Sequence, residues 1–230
     1  MTDFFKDAKN LTEIMETNIV LEDKIPDKMP KYTSNSLYSF MDADRDPFGF
    51  MKESRLRQAY IANGMFGFVS WKWINPFVEW IGNRKCLEVM AGRGWLSYAL
   101  REKGVDVIAT DNFSWHNGEN YSSWKNTVTS LEEIDAVSAV EKYASEIDIV
   151  IMCWAFMDNT AYETIKKLHE INPNALVVYI GEGPGGCTAN DNFFNHFQRI
   201  TNDELFENAA NNYEQWDCIH DRLLLGKYEE

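Results

Sequence analysis

Short apolar runs alternate with helix-spaced apolar stripes over the last two thirds of the chain. The short runs are, in chain order, Leu87–Val89, Val105–Ala109, Ile147–Cys153 and Ala175–Ile180. Stripes at helical spacing lie between them, as in residues 161–171. Because the third run is almost wholly apolar, it is typical of a central parallel strand that is covered on both faces. The alternation therefore predicts an α/β protein with a doubly wound, mostly parallel sheet.

The N-terminal part of the chain has a different pattern and precedes the first predicted strand. Helix-spaced apolar residues predict a helix within residues 11–19, and a second helix is expected from about Phe48 to Ala62. An aromatic stretch follows, in which Asn75-Pro76 has the form of an N-cap with proline in the first helical turn. We therefore divide the chain into an N-terminal helical cap, residues 1–80, and a sheet domain, residues 81–230.

Further segments extend the predicted sheet. Trp124–Val128 is a candidate short strand before a helix expected at Asp135–Ser145. Near the C terminus a helix is expected at Asp203–Ala210, and the strand-like pieces Tyr213–Ile219 and Arg222–Lys227 follow it.

A glycine turn joins the first predicted strand to its helix, in the sequence Glu88-Val-Met-Ala-Gly92-Arg-Gly94. Glycines allow the backbone to turn tightly beneath a ligand. The next strand ends at Asp111, where a carboxylate offers two oxygens to the hydroxyls of a ribose. This order predicts a nucleotide-sized pocket, although a plain α/β turn without a ligand would show the same pattern.

An NAD site fits this turn less well. Its G-x-G-x-x-G pattern requires a third glycine, whereas here the bulky Trp95 follows Gly94 and no third glycine is present. The acidic Glu88 at the strand end would repel a pyrophosphate, but it suits an ammonium group that is reached through ordered water.

Two loops that follow later strands also carry candidate chemistry. Trp154 and Phe156 come directly after the Ile147–Cys153 run, where aromatic rings can pack on a ligand or stabilise a cation, although both rings are equally typical of a core. The glycine-rich segment 181–188 lacks the Lys-Ser/Thr of a phosphate-binding loop, so nucleoside triphosphate binding is rejected. Its Glu182 is a candidate base or substrate anchor, unless the loop is only a connector.

Composition and charge narrow the classes of partner. The net charge is −14 with four widely spaced cysteines and no C-x-x-C pair. This acidic balance argues against nucleic acid, and neither cysteines nor histidines show metal-ligand spacing. No long apolar run and no signal peptide is present, so a cytoplasmic protein without a membrane partner is expected. Four basic residues fall close together and form either a solvated helix face or a local basic patch: Arg45, Lys52, Arg55 and Arg57.

The motifs taken together resemble the class I S-adenosylmethionine-dependent methyltransferases. The E-x-x-A-G-x-G turn, at 88–94, is similar to their first motif, with Met90 where the family usually has its first glycine. The G-E-G-x-G-G-C-T loop, at 181–188, resembles a poorly characterised methyltransferase-like group. Members of that group usually have W-P-P-Y where this chain has Trp154-Ala-Phe-Met157.

The resemblance implies a Rossmann-like sheet of seven strands with an antiparallel last strand, S-adenosylmethionine as cofactor, and methyl transfer. At the cofactor it implies Glu88, Ala91, Gly92 and Gly94 for the amino acid end, Asp111 and Asn112 for the ribose, Asp135 and Ala136 for the adenine, and Cys153 and Trp154 beside the sulfonium. Asp135 is equally well placed to be the N-cap of its helix. No strong acid or base is required, since alignment supplies much of the rate, and Glu182 is the one candidate base.

The aromatic content of the cap favours a small or medium-sized, partly apolar acceptor. Tyr60, Trp71 and Trp73 of the cap and Phe156 beyond it are the residues expected to contact it. A protein side chain is the second choice of acceptor. The alternatives of other classes are a cofactor-binding or regulatory protein without transfer activity and an aminopropyl transferase of the same fold.

Overall fold

A computed structural model describes residues 49–114 and 126–230, together with residues 19, 21–22 and 24–30. Residues 11–18 of the first predicted helix, Arg45, and the first two residues of the candidate strand Trp124–Val128 lie outside the described residues. The described part contains seven helices and seven strands. In chain order they are α1 (Gly49–Ala62), α2 (Trp71–Ile81), β1 (Cys86–Val89), α3 (Trp95–Glu102), β2 (Val107–Asp111), β3 (Glu132–Glu133), α4 (Ala136–Tyr143), β4 (Ile149–Cys153), α5 (Thr160–Ile171), β5 (Leu176–Gly181), α6 (Asp191–His196), β6 (Phe197–Arg199), α7 (Glu204–Asn212) and β7 (Arg222–Tyr228).

The seven strands form one sheet in the order β3-β2-β1-β4-β5-β7-β6. Strands β1 to β5 run parallel to one another, whereas β7 is antiparallel to both of its neighbours, β5 and β6. The predicted α/β fold, a doubly wound and mostly parallel sheet of seven strands with an antiparallel last strand, is confirmed. The direction of winding reverses between β1 and β4, and in such sheets ligands bind outside the carboxyl ends of the strands at this switch point.

The sheet lies between two hydrophobic clusters because alternate residues of its central strands point to opposite faces. Ile149 and Ile151 of β4 pack with α2, α3 and α7, whereas Val150 and Met152 pack with α4 and α5. Helix α2 buries an apolar stripe that contacts α7, with the Trp80 and Phe206 rings 4.9 Å apart. The described residues before β1 therefore share a core with the sheet. No helix in the described ranges is long and apolar enough to cross a membrane.

One predicted strand near the C terminus is wrong. Residues 213–219 form no strand, and the strand that pairs with β7 is Phe197–Arg199 instead. The apolar positions of 213–219 are side chains that pack individually: the Trp216 ring lies 5.2 Å from that of Phe68. In the same segment, the carboxylate of Glu214 accepts hydrogen bonds from Met29 N and Ser70 Oγ, both at 2.8 Å. This segment therefore anchors the N-terminal elements and leaves the sheet edge to β6.

Two further boundaries differ from the sequence pattern. Helix α2 begins at Trp71, with Ser70 as its N-cap residue, and Pro76 lies inside it, so the predicted start at Asn75-Pro76 is wrong. The third strand, β3, consists of Glu132 and Glu133, which pair with the end of β2, and not of the candidate segment Trp124–Val128. Residues 126–128 of the candidate strand belong to no strand.

Candidate functional site

A cavity of about 610 Å³ lies at the carboxyl ends of β1, β2 and β4. The ends of these strands place Glu88, Asp111, Cys153 and Trp154 on its wall. Its size falls in the usual range of small-molecule sites. The cavity thus coincides with the switch point of the sheet and brings together residues that are far apart in the sequence.

The glycine turn forms the floor of the cavity between β1 and α3. Met90, Ala91 and Gly92 line the cavity, and Met90 and Gly92 both have left-handed backbone conformations, with φ of 55° and 58°. Gly94 also has a positive φ of 84° but is not among the described lining residues; a Cβ there would lie 2.6 Å from the Leu131 side chain. Glycine adopts such angles without strain, whereas Met90 pays a cost of order 1–2 kcal/mol.

Glu88 is buried at the end of β1, with 1% of its surface exposed. Its Oε2 accepts hydrogen bonds from Ser97 Oγ and from Ser97 N, the latter at 2.9 Å. Burial raises the pKa of Glu88 to about 7, although the Ser97 bonds oppose this rise. A cationic ligand beside this carboxyl group would favour its charged form and be bound by it.

Asp111 lies at the end of β2 and is 3% exposed. Its Oδ2 accepts a hydrogen bond from Gly92 N at 2.7 Å, and its Oδ1 accepts one from Phe113 N at 2.6 Å. Asp111 therefore fixes the glycine turn to β2. Each carboxylate oxygen can accept a second bond, so the same side chain can also bind ligand hydroxyls. The neighbouring Asn112 lines the cavity, and its Oδ1 accepts from Ser114 N at 3.0 Å.

The end of β4 presents Trp154 in an unusual backbone conformation, with φ of 57°. The indole Nε1 donates to Asp221 Oδ2 at 3.1 Å, and Tyr213 Oη donates to the same oxygen at 2.6 Å. Asp221 is 2% exposed; burial raises its pKa, although the bonds from Tyr213 and Trp154 oppose the rise. Asp221 therefore holds the Trp154 ring from behind and is not among the described residues that line the cavity.

Cys153, beside Trp154, packs against Gly67 in a segment, residues 65–67, that the sequence pattern did not indicate as part of the site. A Cβ on Gly67 would lie 2.7 Å from Cys153 Sγ, so only glycine allows this close approach. The neighbouring Met65 and Phe66 also line the cavity, and the Phe66 ring lies 6.4 Å from that of Trp154. Burial raises the pKa of Cys153 well above its usual value, so this side chain is a neutral thiol rather than a nucleophile.

Glu182 is not placed as the base that we expected. Its Oε2 accepts from Cys187 N at 2.7 Å and its Oε1 accepts from His220 N at 3.2 Å. Burial raises its pKa, but these bonds outweigh burial and hold the pKa below its usual value. Glu182 is not among the described lining residues, although Cys187 and Thr188 are. Its carboxylate closes the glycine-rich loop on itself, which is a structural task.

Of the four aromatic residues expected to contact an acceptor, the three that belong to the cap are not among the described residues that line the cavity. Trp73 is 1% exposed and donates from Nε1 to Phe68 O at 2.9 Å, so it is a core residue. Trp71 contacts a cation instead, because Lys103 Nζ lies 4.5 Å from the centroid of its ring. Tyr60 packs against Phe68, with ring centroids 5.1 Å apart. Aromatic content alone did not distinguish a cover from a core.

The other expected positions divide in the same way. Phe156 lines the cavity and is 68% exposed at its rim. Asp135 is the N-cap of α4: it accepts from Ser138 N at 2.9 Å, and the Ser138 bonds lower its pKa. Ala136 is buried, and neither of these two is among the described lining residues. Of the two interpretations of Asp135, the structure shows the N-cap.

Metal-ligating side chains do not cluster in the described ranges. No cluster of three or more His, Cys, Asp or Glu side chains there could hold a metal ion. All four cysteines lie in the described part of the chain and are free thiols.

Solved structures with a similar fold were found, whereas no family model and no curated protein matches the sequence. TehB from Haemophilus influenzae is 14% identical with a TM-score of 0.43, over 75% of this chain and 67% of its own. A TehB-like SAM-dependent methyltransferase from Corynebacterium glutamicum is 10% identical with a TM-score of 0.43, over 78% and 99%. A mutant of MtNAS in complex with S-adenosylmethionine is 10% identical with a TM-score of 0.48, over 99% and 93%. Likenesses this remote assign no activity to the present chain.

Proposed function

We propose that this chain is an S-adenosylmethionine-dependent methyltransferase. The observation that supports this most strongly is the convergence of Glu88, the glycine turn and Asp111 on one cavity at the switch point of the sheet. These groups differ in chemistry as the two ends of that cofactor do. A buried acid suits an ammonium group, and a carboxylate can accept hydrogen bonds from the hydroxyl groups of a ribose.

The residues of the cavity fit this cofactor in size and in charge. Glu88 would bind the amino group, Ala91 and Gly92 would lie along the amino acid chain, and Asp111 with Asn112 would bind the ribose. Cys153 and Trp154 would lie near the sulfonium, where the Trp154 ring can stabilise positive charge. Asp135 and Ala136 are left out of this assignment because neither is among the described residues that line the cavity.

S-adenosylmethionine, when bound, supplies an electrophilic methyl group. The protein's task is then to align an acceptor with that group and to exclude water. Cys153 remains a neutral thiol, and the carboxylate of Glu182 is bound to two backbone N–H groups, so neither is used as nucleophile or base. We propose that positioning by the cavity wall provides most of the rate.

The acceptor we propose is a small or medium-sized, partly apolar molecule. The lining of the cavity includes the apolar side chains of Met65, Phe66 and Val69, and the Phe66 ring lies 6.4 Å from that of Trp154. Phe156 exposes most of its ring at the rim, so apolar surface is available there for contact.

The test is a calorimetric titration with S-adenosylmethionine and S-adenosylhomocysteine, for the wild type and for Asp111→Asn. We expect micromolar binding by the wild type, or about −8 kcal/mol, and a loss of about tenfold or more in the variant. Asp106→Asn is the matched control, because Asp106 precedes β2 and is exposed at 68% of its side chain. A folded wild type that binds neither compound would overturn the proposal, as would equal binding by both variants.

A second candidate is a protein of the same fold that binds the cofactor without transfer. Two observations favour it: Met90 occupies a left-handed position that suits glycine, and Trp154-Ala-Phe156-Met lacks both prolines of the related motif. This candidate predicts cofactor binding with no turnover across a broad panel of acceptors. Transfer of a labelled methyl group to any acceptor in the panel would exclude it.

A further inference from the structure

The charges around the cavity are unequal. Of the described residues that line it, three are carboxylates, Glu88, Asp111 and Asp158, and one is a cation, Arg57. Glu88 and Asp111 belong to the proposed cofactor end. Asp158 accepts a hydrogen bond from Thr160 N at 2.8 Å at the start of α5. Arg57, on α1, thus provides the positive charge of a cavity that is otherwise acidic.

The Arg57 side chain lies beside an aromatic ring, and one of its N–H donors has no acceptor among the described residues. Its guanidinium carbon lies 5.9 Å from the centroid of the Trp154 ring. Its Nε is buried and has no hydrogen-bond partner among the described residues. Glu53, one turn earlier on α1, accepts instead from Asp217 N at 3.0 Å. A buried N–H donor without an acceptor is costly, and it leaves the side chain with unused hydrogen-bonding capacity.

A second unpartnered donor lies on the same side of the site. Arg57 also lines a side cavity of about 140 Å³, and Trp216 forms part of the wall of that cavity. Trp216 is 3% exposed, and its Nε1 likewise has no acceptor among the described residues. Two buried donors without an acceptor among the described residues therefore lie near Arg57, and Glu53 and Asp217 add negative charge to the side cavity.

The sheet order places Arg57 away from the proposed ribose site. Its neighbours are Trp154, at the end of β4, and residues 216–219, which precede β7. Asp111 ends β2, which is separated from β4 by β1, on the opposite side from β7. Arg57 therefore faces the acceptor side of the cavity rather than the nucleoside side.

We propose that Arg57 binds an oxyanion of the acceptor, a carboxylate or a phosphate ester, so that the acceptor is a partly apolar organic acid. This assignment rests on the proposed function and gives it a substrate class. A guanidinium group can bind two oxygens of either anion at once, and the apolar side chains nearby would contact the rest of the molecule. The surrounding carboxylates make the dependence on Arg57 strong, since they repel an anion that lacks this partner.

The experiment compares three probes of similar shape, phenylacetate, phenyl phosphate and the neutral phenylacetamide, by ligand-observed NMR titration. Each probe is titrated into the protein with and without saturating S-adenosylhomocysteine. The variants are Arg57→Gln, which removes the charge, Arg57→Lys, which keeps it, and Arg55→Gln, a matched control on the same helix. Thermal melts establish that each variant is folded.

We expect at least one of the two anions to bind about tenfold more tightly than the amide in the wild type and in Arg55→Gln. The identity of that anion distinguishes a carboxylate from a phosphate site. The preference should vanish in Arg57→Gln and persist in part in Arg57→Lys, with S-adenosylhomocysteine affinity changed by less than about twofold. No preference for either anion, or a preference that survives in Arg57→Gln, would overturn the assignment.

One further result would assign Arg57 to the cofactor instead. If Arg57→Gln weakens S-adenosylhomocysteine but leaves methylthioadenosine unchanged, Arg57 binds the carboxylate of the cofactor and the acceptor assignment is wrong. If the wild type binds no S-adenosylhomocysteine, the proposed function fails by itself. The anion preference of the cofactor-free protein then still decides whether Arg57 forms an oxyanion site.

Discussion

The carboxyl ends of β1 and β2 differ from the segments after β5 and before β7 in whether their buried acidic side chains line the cavity. Glu88 and Asp111, at β1 and β2, lie on the cavity wall. Glu182 and Asp221, near β5 and β7, are also buried but are not among the described residues that line the cavity. Glu182 accepts from Cys187 N in the glycine-rich loop, and Asp221 accepts from Trp154 and Tyr213. All four carboxyl groups accept hydrogen bonds from the protein, and the difference is that the first pair lies on the cavity wall. Residue type alone therefore does not identify the acids that bind.

The largest effect we expect concerns pH, because the two regions should respond with opposite sign. Burial raises the pKa of Glu88 to about 7, so the folded protein holds this proton more tightly than the unfolded chain. Its contribution to stability is complete below pH 4.5, the ordinary value, and is lost as pH rises through about 7. The loss is about 3 kcal/mol at most, and Glu88→Gln should remove it.

Glu182 is the matched comparison for this measurement. Its pKa is lowered by the bonds from Cys187 and His220, so its contribution is present above its ordinary pKa and is lost as pH falls. Urea unfolding across pH 4 to 8 for the wild type, Glu88→Gln and Glu182→Gln measures both slopes. Identical pH dependence in all three proteins would show that the two regions do not differ in this way.

The next largest effect that we expect is at Gly94 of the glycine turn, where a side chain would lack room as well as a favourable backbone angle. Gly94 and Gly104 have similar left-handed angles, with φ of 84° and 80°, but a Cβ at Gly104 meets nothing within 4 Å. Alanine should therefore cost about 1 kcal/mol at Gly104 and about 2 kcal/mol at Gly94, where it also displaces Leu131. Chemical denaturation measures both values. Equal costs at the two positions would mean that the neighbours of Gly94 move aside freely.

The smallest effect concerns the acid behind Trp154. Asp221→Asn weakens the hydrogen bonds that Tyr213 and Trp154 make to one carboxylate oxygen, so we expect a loss of about 1 kcal/mol in unfolding free energy. Cofactor affinity should change by less than about twofold, since Asp221 is away from the described lining. A calorimetric titration that shows a tenfold weaker cofactor would place Asp221 in the binding site and remove the contrast with Asp111.

The strands that form the middle of the sheet could be predicted because burial on both faces leaves a continuous apolar run. Leu87–Val89 and Ile147–Cys153 were placed within two residues of β1 and β4. The error at Tyr213–Ile219 has a physical reason: a short segment with apolar and aromatic residues among polar ones suits a strand and also an irregular segment that anchors rings in a core. The short β6 has three residues, two of them exposed, and gives almost no signal of its own.

The site could be predicted only where the local sequence dictates the geometry. Glu88, Gly92 and Asp111 follow from strand ends and a turn, and all three lie on the cavity. Glu182 has the same side chain as Glu88, but its partners, Cys187 N and His220 N, are known only once the loop is folded. Arg57 appeared in the sequence as one of several basic residues, because its contact with Trp154 joins elements that are distant along the chain.

The central claim is that one cavity binds S-adenosylmethionine between Glu88 and Asp111. The most direct test is a crystal structure of the wild-type protein with S-adenosylhomocysteine. We expect the ribose hydroxyls within hydrogen-bond distance of the Asp111 carboxylate and the amino group on the side of Glu88, reached directly or through one water. A ligand bound elsewhere, or a nucleoside end that lies at Arg57 instead of Asp111, would contradict the claim.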